Sequence, residues 1–349
     1  MFTQKKLNGI AFLSFPQMQG ILLSELQERF SLNTQKAKIF GDIIYFDFLP
    51  EVFDFSDLKS ADLNFADSNS DFANFQSSEV LKKLPYWAKD VYLEPQILSF
   101  DSISDAATCL RKIQRSWAPY NFSCFRRAAL LQEKLPHVNL KAKNFPYEIP
   151  HSPIGIYTLL DEHKILFSAK TSSVLPAGTL EFVENHEEPP SRAYLKIQES
   201  LCLAKYFFNI DLPNSSTKCF EAGACPGGWT WVLASLGAKV FAVDRAELAP
   251  SLMKNPLVSF MAHDAFTLSP QEIGECDWVF SDVICYPERL LDWIKTWISS
   301  GKTKKMICTI KMQGKINWAL ISEFEKISNS RIVHLNYNKH ELTFLHAEP

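Results

Sequence analysis

The chain has 349 residues, a length that suggests two domains or three. Hydrophobic residues make up 46% and charged residues 21%, which excludes a disordered or fibrous chain and leaves material for buried cores. The formal net charge of −3 excludes a bulk basic footprint, so any polyanion contact must rest on a local patch. Residues 41–75 carry eight acidic side chains and one basic one, whereas residues 101–150 carry eight basic and four acidic. The second stretch is therefore where a polyanion is expected, with Arg111, Lys112, Arg115, Arg126 and Arg127 as candidates, against the plainer reading of a solvated helix face. The opening run 1–8 lacks a signal-peptide pattern, and no apolar run reaches the roughly 18 residues of a membrane span. The eight cysteines form no CxxC pair and no zinc-like spacing with histidine. A cytoplasmic chain with reduced thiols, no metal and no membrane contact is expected.

In chain order, residues 8–15 read as a strand and 16–30 as a helix with Leu22, Leu23, Leu26 and Phe30 on one side. Two strands over 37–48 turn at Gly41-Asp42, and 50–78, rich in Asp, Ser and Asn, reads as a long loop. Strands at 90–99 and 154–169 bracket helices at 103–117 and 122–135, an α+β pattern, and 184–190 reads as a linker. Beyond it the pattern alternates: helix 191–208, strand 218–222, helix 227–236, strands 239–243, 257–261 and 277–281, helix 286–299, strand 305–310 and helix 316–327. The end departs from alternation, with strands at 331–337 and 341–346 split by Asn338-Lys339-His340. Alternating βα units imply a doubly wound parallel sheet, here closed by an antiparallel hairpin.

The strongest motif is Glu221-Ala222-Gly223-Ala224-Cys225-Pro226-Gly227-Gly228-Trp229, which follows a strand and opens a helix. Ligands bind outside the carboxyl ends of parallel strands, and glycine there admits a ligand to the backbone. The G-x-G-x-x-G of a dinucleotide fold is missing, which argues against a nicotinamide-dependent dehydrogenase. Pro226 stiffens the loop and removes an amide, which suits S-adenosylmethionine (SAM), a cofactor with no pyrophosphate to cradle. Asp244 closes the next strand, where an acid can bind both ribose hydroxyls. His263-Asp264-Ala265-Phe266 closes a third, offering a carboxylate for an adenine amino group and an aromatic wall.

With Asp282 after the fourth strand, this pattern resembles the FtsJ-like ribose 2′-O-methyltransferases. The resemblance implies a SAM-dependent Rossmann-like fold and a Lys-Asp-Lys-Glu tetrad. Lys196 matches within Ser191-Arg192-Ala193-Tyr194-Leu195-Lys196, Asp282 within Ser281-Asp282, Lys311 within Thr309-Ile310-Lys311, and Glu341 opens the last strand. Gly223, Cys225, Pro226, Gly227, Gly228, Trp229, Asp244, Asp264, Ala265 and Asp282 then fall at the cofactor. The chain is most similar to the RlmM subfamily, which methylates a cytidine ribose of 23S ribosomal RNA. That similarity rests on residues 223–230, Ser251-Leu252-Met253, Pro287 after Asp282, Trp117 near Pro119, Arg126-Arg127-Ala128 and Leu135-Pro136. It implies a ferredoxin-like part over 1–80, a THUMP-like RNA-binding part over 81–185, a methyltransferase part over 186–349, and 23S rRNA met before full ribosome assembly.

In this chemistry a ribose hydroxyl needs a base before it attacks. A lysine serves only as a free amine, a form that a second ammonium nearby favours. Lys311 is expected as base, Lys196 as its tuner and orienter, and Asp282 and Glu341 as holders of the two. Trp229 is expected to stack a splayed base or pack in the core. Methylation of another RNA, such as tRNA or a cap, and a non-catalytic RNA-binding protein on the same scaffold both remain open on the sequence.

Overall fold

A computed structural model describes residues 2–53 and 84–348, so most of the loop expected over 50–78 lies outside the described residues. The chain divides into two compact units, Met1–Ala142 with Ile149–Glu181, and Lys143–Glu148 with Phe182–Pro349. Among the described residues no helix is long and apolar enough to cross a membrane.

The first unit holds two sheets. One runs in the order β1 (Phe2–Lys6), β6 (Gln96–Phe100), β9 (Lys164–Ser168), β8 (Gly155–Asp161), β7 (Trp117–Pro119). The other runs β3 (Lys38–Phe40), β4 (Ile43–Phe46), β2 (Ile10–Ser14), β5 (Ala88–Tyr92). The sequence pattern hid β1 because an edge strand of Thr, Gln and Lys shows no apolar alternation; its pairing with β6 supplies what pattern lacks. The expected strand over 90–99 is two strands in different sheets, separated at Leu93-Glu94-Pro95. Residues before and after position 80 thus contribute to both sheets.

Helices α2 (Ile103–Ile113) and α3 (Phe125–Lys134) share a core with the five-stranded sheet through Ala106, Leu110, Leu131, Trp117, Tyr157 and Phe167. Helix α2 stops four residues short of the expected end because Trp117 is drawn into β7, its indole N–H donating to the carbonyls of Leu110 (3.1 Å) and Gln114 (3.0 Å). Ala11, Leu13, Ile43 and Tyr45 of the four-stranded sheet pack with Ile156 and Leu166 in a second cluster. Helix α1 (Gln19–Glu28) completes the unit.

The second unit follows the expected alternation. Helix α4 (Tyr194–Phe208) precedes β10 (Lys218–Ala222), α5 (Gly228–Ser235), β11 (Lys239–Asp244), α6 (Pro250–Met253), β12 (Val258–Ala262), α7 (Pro270–Ile273) and β13 (Trp278–Ser281). Then come α8 (Pro287–Ser300), β14 (Lys305–Lys311), α9 (Trp318–Glu325), β15 (Ser330–Val333) and β16 (Glu341–Ala347). The sheet order is β12-β11-β10-β13-β14-β16-β15, a Rossmann-like α/β sheet. Strands β10 to β14 are parallel, and β16 runs antiparallel to both β14 and β15. Strand order reverses beside β10, the position where such sheets open a crevice at their carboxyl edge. β16 runs backwards, so its first residue, Glu341, lies opposite Lys311, the last of β14.

The expected strand over 331–337 ends at Val333. Glu199 of α4, buried, accepts the amides of Asn336 (2.9 Å) and Tyr337 (3.4 Å), and the Asn338 amide donates to the Glu341 carbonyl at 3.1 Å. Backbone groups spent on side chains cannot join a ladder.

Candidate active site

The loop after β10 takes its shape from two glycines. Gly223 has φ +76°, and a Cβ there would lie 2.6 Å from Val283 Cγ2. Gly227 has φ +108° at the start of α5, where a Cβ would run into Leu252. Only glycine meets both demands. The Cys225-Pro226 bond between them is cis. Gly228 brings α5 against the N-terminus of α4, since a Cβ there would crowd Ser191 Oγ.

Carboxylates line the carboxyl edge. Asp244 at the end of β11 accepts the amides of Cys225 (2.9 Å) and Ala246 (3.1 Å), so it shapes the loop as well as facing the cleft. Glu221 in β10 is buried and takes the Thr230 hydroxyl at 2.7 Å. Burial pushes its carboxyl up to about 8, with the charges of Asp282 and Asp244 adding to the rise against the Thr230 hydrogen bond. Asp264, two residues past β12, meets Arg245 at 2.7 Å, Arg289 at 3.6 Å and the Phe266 amide at 3.1 Å. Burial alone would raise its carboxyl; the Arg245 hydrogen bond, the Phe266 amide and the two arginine charges outweigh that and hold it below the usual range. Ala265 beside it is buried.

The four tetrad candidates gather from four elements, in two ion pairs. Lys196, in the first turn of α4, pairs with Glu341. Lys311 pairs with Asp282, its ammonium 3.0 Å from Oδ1 and donating to the Asp282 carbonyl at 2.6 Å. Oδ1 is buried, and its partner is the Lys311 ammonium. Directly opposed residues of antiparallel strands share a face, which puts Lys311 and Glu341 side by side. The register thus brings the two ion pairs together, and all four side chains are between 13% and 21% exposed.

Of the two readings of Trp229 the structure bears out core packing: it is 3% exposed, its ring edge-on to Phe280, and it offers no face to a nucleobase. Phe266, expected as an aromatic wall, stacks on Trp293 at 4.7 Å, with the Arg289 guanidinium 5.3 Å from its ring centre. The sequence reading also missed Arg245 and Arg289, which close on Asp264. Arg245 directly follows Asp244, a visible signal. Arg289 lies outside any motif. Among the described residues no group of three or more His, Cys, Asp or Glu is placed to hold a metal ion.

The N-terminal basic residues do not converge on one point. Arg111 donates to the Lys134 carbonyl (3.2 Å) and to Thr108 Oγ1 (3.3 Å), and the Lys112 ammonium lies 5.9 Å from the centre of the Phe2 ring. Arg127 packs 5.6 Å from the centre of Phe100 with its Nε buried. Arg111, Lys112, Arg115 and Arg126 are exposed.

Residues 189–321 match the family described as FtsJ-like methyltransferase. The match takes in Lys196, the loop at 223–229, Asp282 and Lys311 and stops before Glu341, whose place rests on geometry. Ribosomal RNA large subunit methyltransferase M of Aromatoleum aromaticum is 30% identical over 168 residues, 45% of each chain. The protein of that name from Hahella chejuensis is 28% identical over 219 residues, 61% of this chain and 52% of its own. The chain thus spans about half the length of the curated relatives it matches. Fibrillarin of Aeropyrum pernix, solved with S-adenosyl-L-methionine, aligns with a TM-score of 0.31 and 14% identity, covering 54% of this chain and 81% of its own.

Proposed function

We propose that this chain methylates the 2′ hydroxyl of a ribose in ribosomal RNA, a cytidine of 23S rRNA, with SAM as donor. The observation that carries the reading is the pair of lysine–carboxylate bridges, Lys311–Asp282 and Lys196–Glu341, gathered beside a glycine-shaped, acid-lined loop. The residues fit a SAM cation. Gly223 and Gly227 let the loop turn at positive φ, Asp244 and Asp264 stand at two successive strand ends, and Asp282, paired with Lys311, adds negative charge at the next. When bound, SAM supplies an electrophilic methyl on a sulfonium.

The chain's own residues do the rest. Lys311, as free amine, takes the proton of the ribose hydroxyl. Asp282 holds Lys311 in place and fixes the direction from which the hydroxyl approaches. Lys196, fixed by Glu341, orients that hydroxyl from the other side. Most of the acceleration is positioning. The ferredoxin-like part expected over 1–80 and the THUMP-like part expected over 81–185 interleave in two shared sheets and together act in RNA binding, with Arg111, Lys112, Arg115 and Arg126 facing phosphates. The enzyme works in the cytoplasm on 23S rRNA before assembly buries the target ribose.

Mapping 2′-O-methyl groups in 23S rRNA from cells with and without the protein tests this. One cytidine should lose its methyl in the deletion strain and regain it with the wild-type gene but not with a Lys311→Ala gene. An unchanged methylation map defeats the reading.

A further inference from the structure

The segment between β13 and α8 faces two ways. Val283 packs where a Cβ on Gly223 would collide, so it is seated against the cofactor loop. Cys285 is buried; burial raises its thiol, which also feels the charges of Arg289, Lys311 and Asp264. The residues between and after them turn outward. Ile284 is 79% and Tyr286 65% exposed, more than any other large hydrophobic side chain among the described residues. Neighbours in an extended stretch point to opposite sides, so anchoring 283 and 285 presents 284 and 286 to solvent.

A single exposed apolar side chain needs no explanation. Position gives this pair its meaning. They follow Asp282 by two and four residues, within about 14 Å of extended chain. A ribose brought to Lys311 and Asp282 carries its own base, and its neighbours' bases, into the same space. Single-stranded RNA is held largely by stacking splayed bases on exposed aromatic rings. One turn further along, Arg289 is half-exposed, its guanidinium turned to Asp264 at 3.6 Å.

We propose that Tyr286, supported by Ile284, is the stacking platform for a nucleobase of the single-stranded RNA segment that carries the target ribose. This rests on the 2′-O-methyltransferase reading above. The platform would make Tyr286 a determinant of RNA affinity that leaves the cofactor untouched.

Methyl transfer to an unmodified 23S rRNA transcript tests it, with wild type, Tyr286→Ala and Tyr286→Phe compared at saturating SAM. Tyr286→Ala should raise KM for the transcript on the order of tenfold, the worth of one base–aromatic stack, with kcat changed little. Tyr286→Phe keeps the π face and should stay within about twofold of wild type. Calorimetry should give all three the same SAM affinity, which a merely structural role for Tyr286 would disturb. A wild type that methylates the transcript beside a Tyr286→Ala with unchanged KM overturns the platform alone. Equal losses in the Phe and Ala variants point to the hydroxyl and overturn stacking. A wild type that binds SAM but leaves the transcript unmethylated overturns the 2′-O reading and the platform with it.

Discussion

Lys196 and Glu341 stand 145 residues apart in the chain and meet in one ion pair, whereas Arg111, Lys112, Arg115, Arg126 and Arg127 sit close in sequence and spread over two helices and the loop between them. The two regions face different physical demands. Moving a proton at one atom requires side chains converging within hydrogen-bond reach, and here α4, the end of β13, β14 and β16 each give one. Holding a polyanion requires only cations that water can reach. The first demand leaves a motif spread along the chain; the second leaves a composition bias.

The sharpest way to break the comparison is at Lys311. If this lysine is the base, its protonated form is inactive, and arginine, which cannot be deprotonated in a protein, should fail in its place. Lys311→Arg should keep SAM affinity while losing turnover by about 10³-fold, close to Lys311→Ala. Single-turnover methyl transfer to rRNA measures it. An Arg variant retaining a tenth of wild-type turnover would reduce Lys311 to an electrostatic anchor and leave the hydroxyl proton to a carboxylate such as Glu341.

A smaller effect is expected at the cofactor loop. Glu221 titrates at about 8 in the folded protein against an ordinary value of 4.5, because burial opposes its charge and Asp282 and Asp244 add to it. The sign follows from proton counts. Between those values the folded state holds a proton that the unfolded chain has released, so this group's contribution to stability declines as pH rises from about 4.5 and is smallest above about 8. A cationic ligand favours the carboxylate, so SAM affinity should strengthen as pH rises from about 6.5 to 8.5, by at most about tenfold per pH unit. Glu221→Gln should flatten that dependence and should be relatively more stable than wild type at pH 8.5. Calorimetric titrations at several pH values check both; a wild-type affinity flat over this range removes Glu221 from cofactor binding.

The second unit's alternation was legible in the sequence because its central strands are short, mostly apolar runs between turn residues, as in Trp278–Ser281 and Lys305–Lys311. The residues that close on one another were legible only as a family pattern. Nothing local marks Glu341 as the neighbour of Lys311; the antiparallel register of β16 brings it there. The role of Tyr286 was illegible because exposure is set by where Val283 and Cys285 are anchored. Trp229 stayed open in the sequence for the converse reason: an aromatic beside a glycine loop reads as available or buried until the helix turns it into the core.

The smallest expected effect belongs to the first unit, and the structure decides which residues to change. Arg127 is unsuitable, since its Nε is buried and its guanidinium packs near Phe100, and neutralising it would disturb the core. Arg111, Arg115 and Arg126 are exposed, so glutamine at all three should leave the fold intact. If these side chains neutralise phosphates, each releases counterions on binding, and log K falls with log salt by about 0.7 for every phosphate neutralised on a single strand. The triple variant should therefore show a shallower salt slope, by about 0.7 for each phosphate left without its arginine, with SAM affinity and turnover at saturating RNA unchanged. Filter binding of a 23S rRNA transcript over a range of salt concentrations reads the slope directly. Parallel lines for wild type and variant would mean that these arginines are only a solvated surface, consistent with the carbonyl and hydroxyl that Arg111 already holds. RNA affinity would then have to come from elsewhere in the chain, with Arg245 and Arg289 at the catalytic edge the next cations to neutralise.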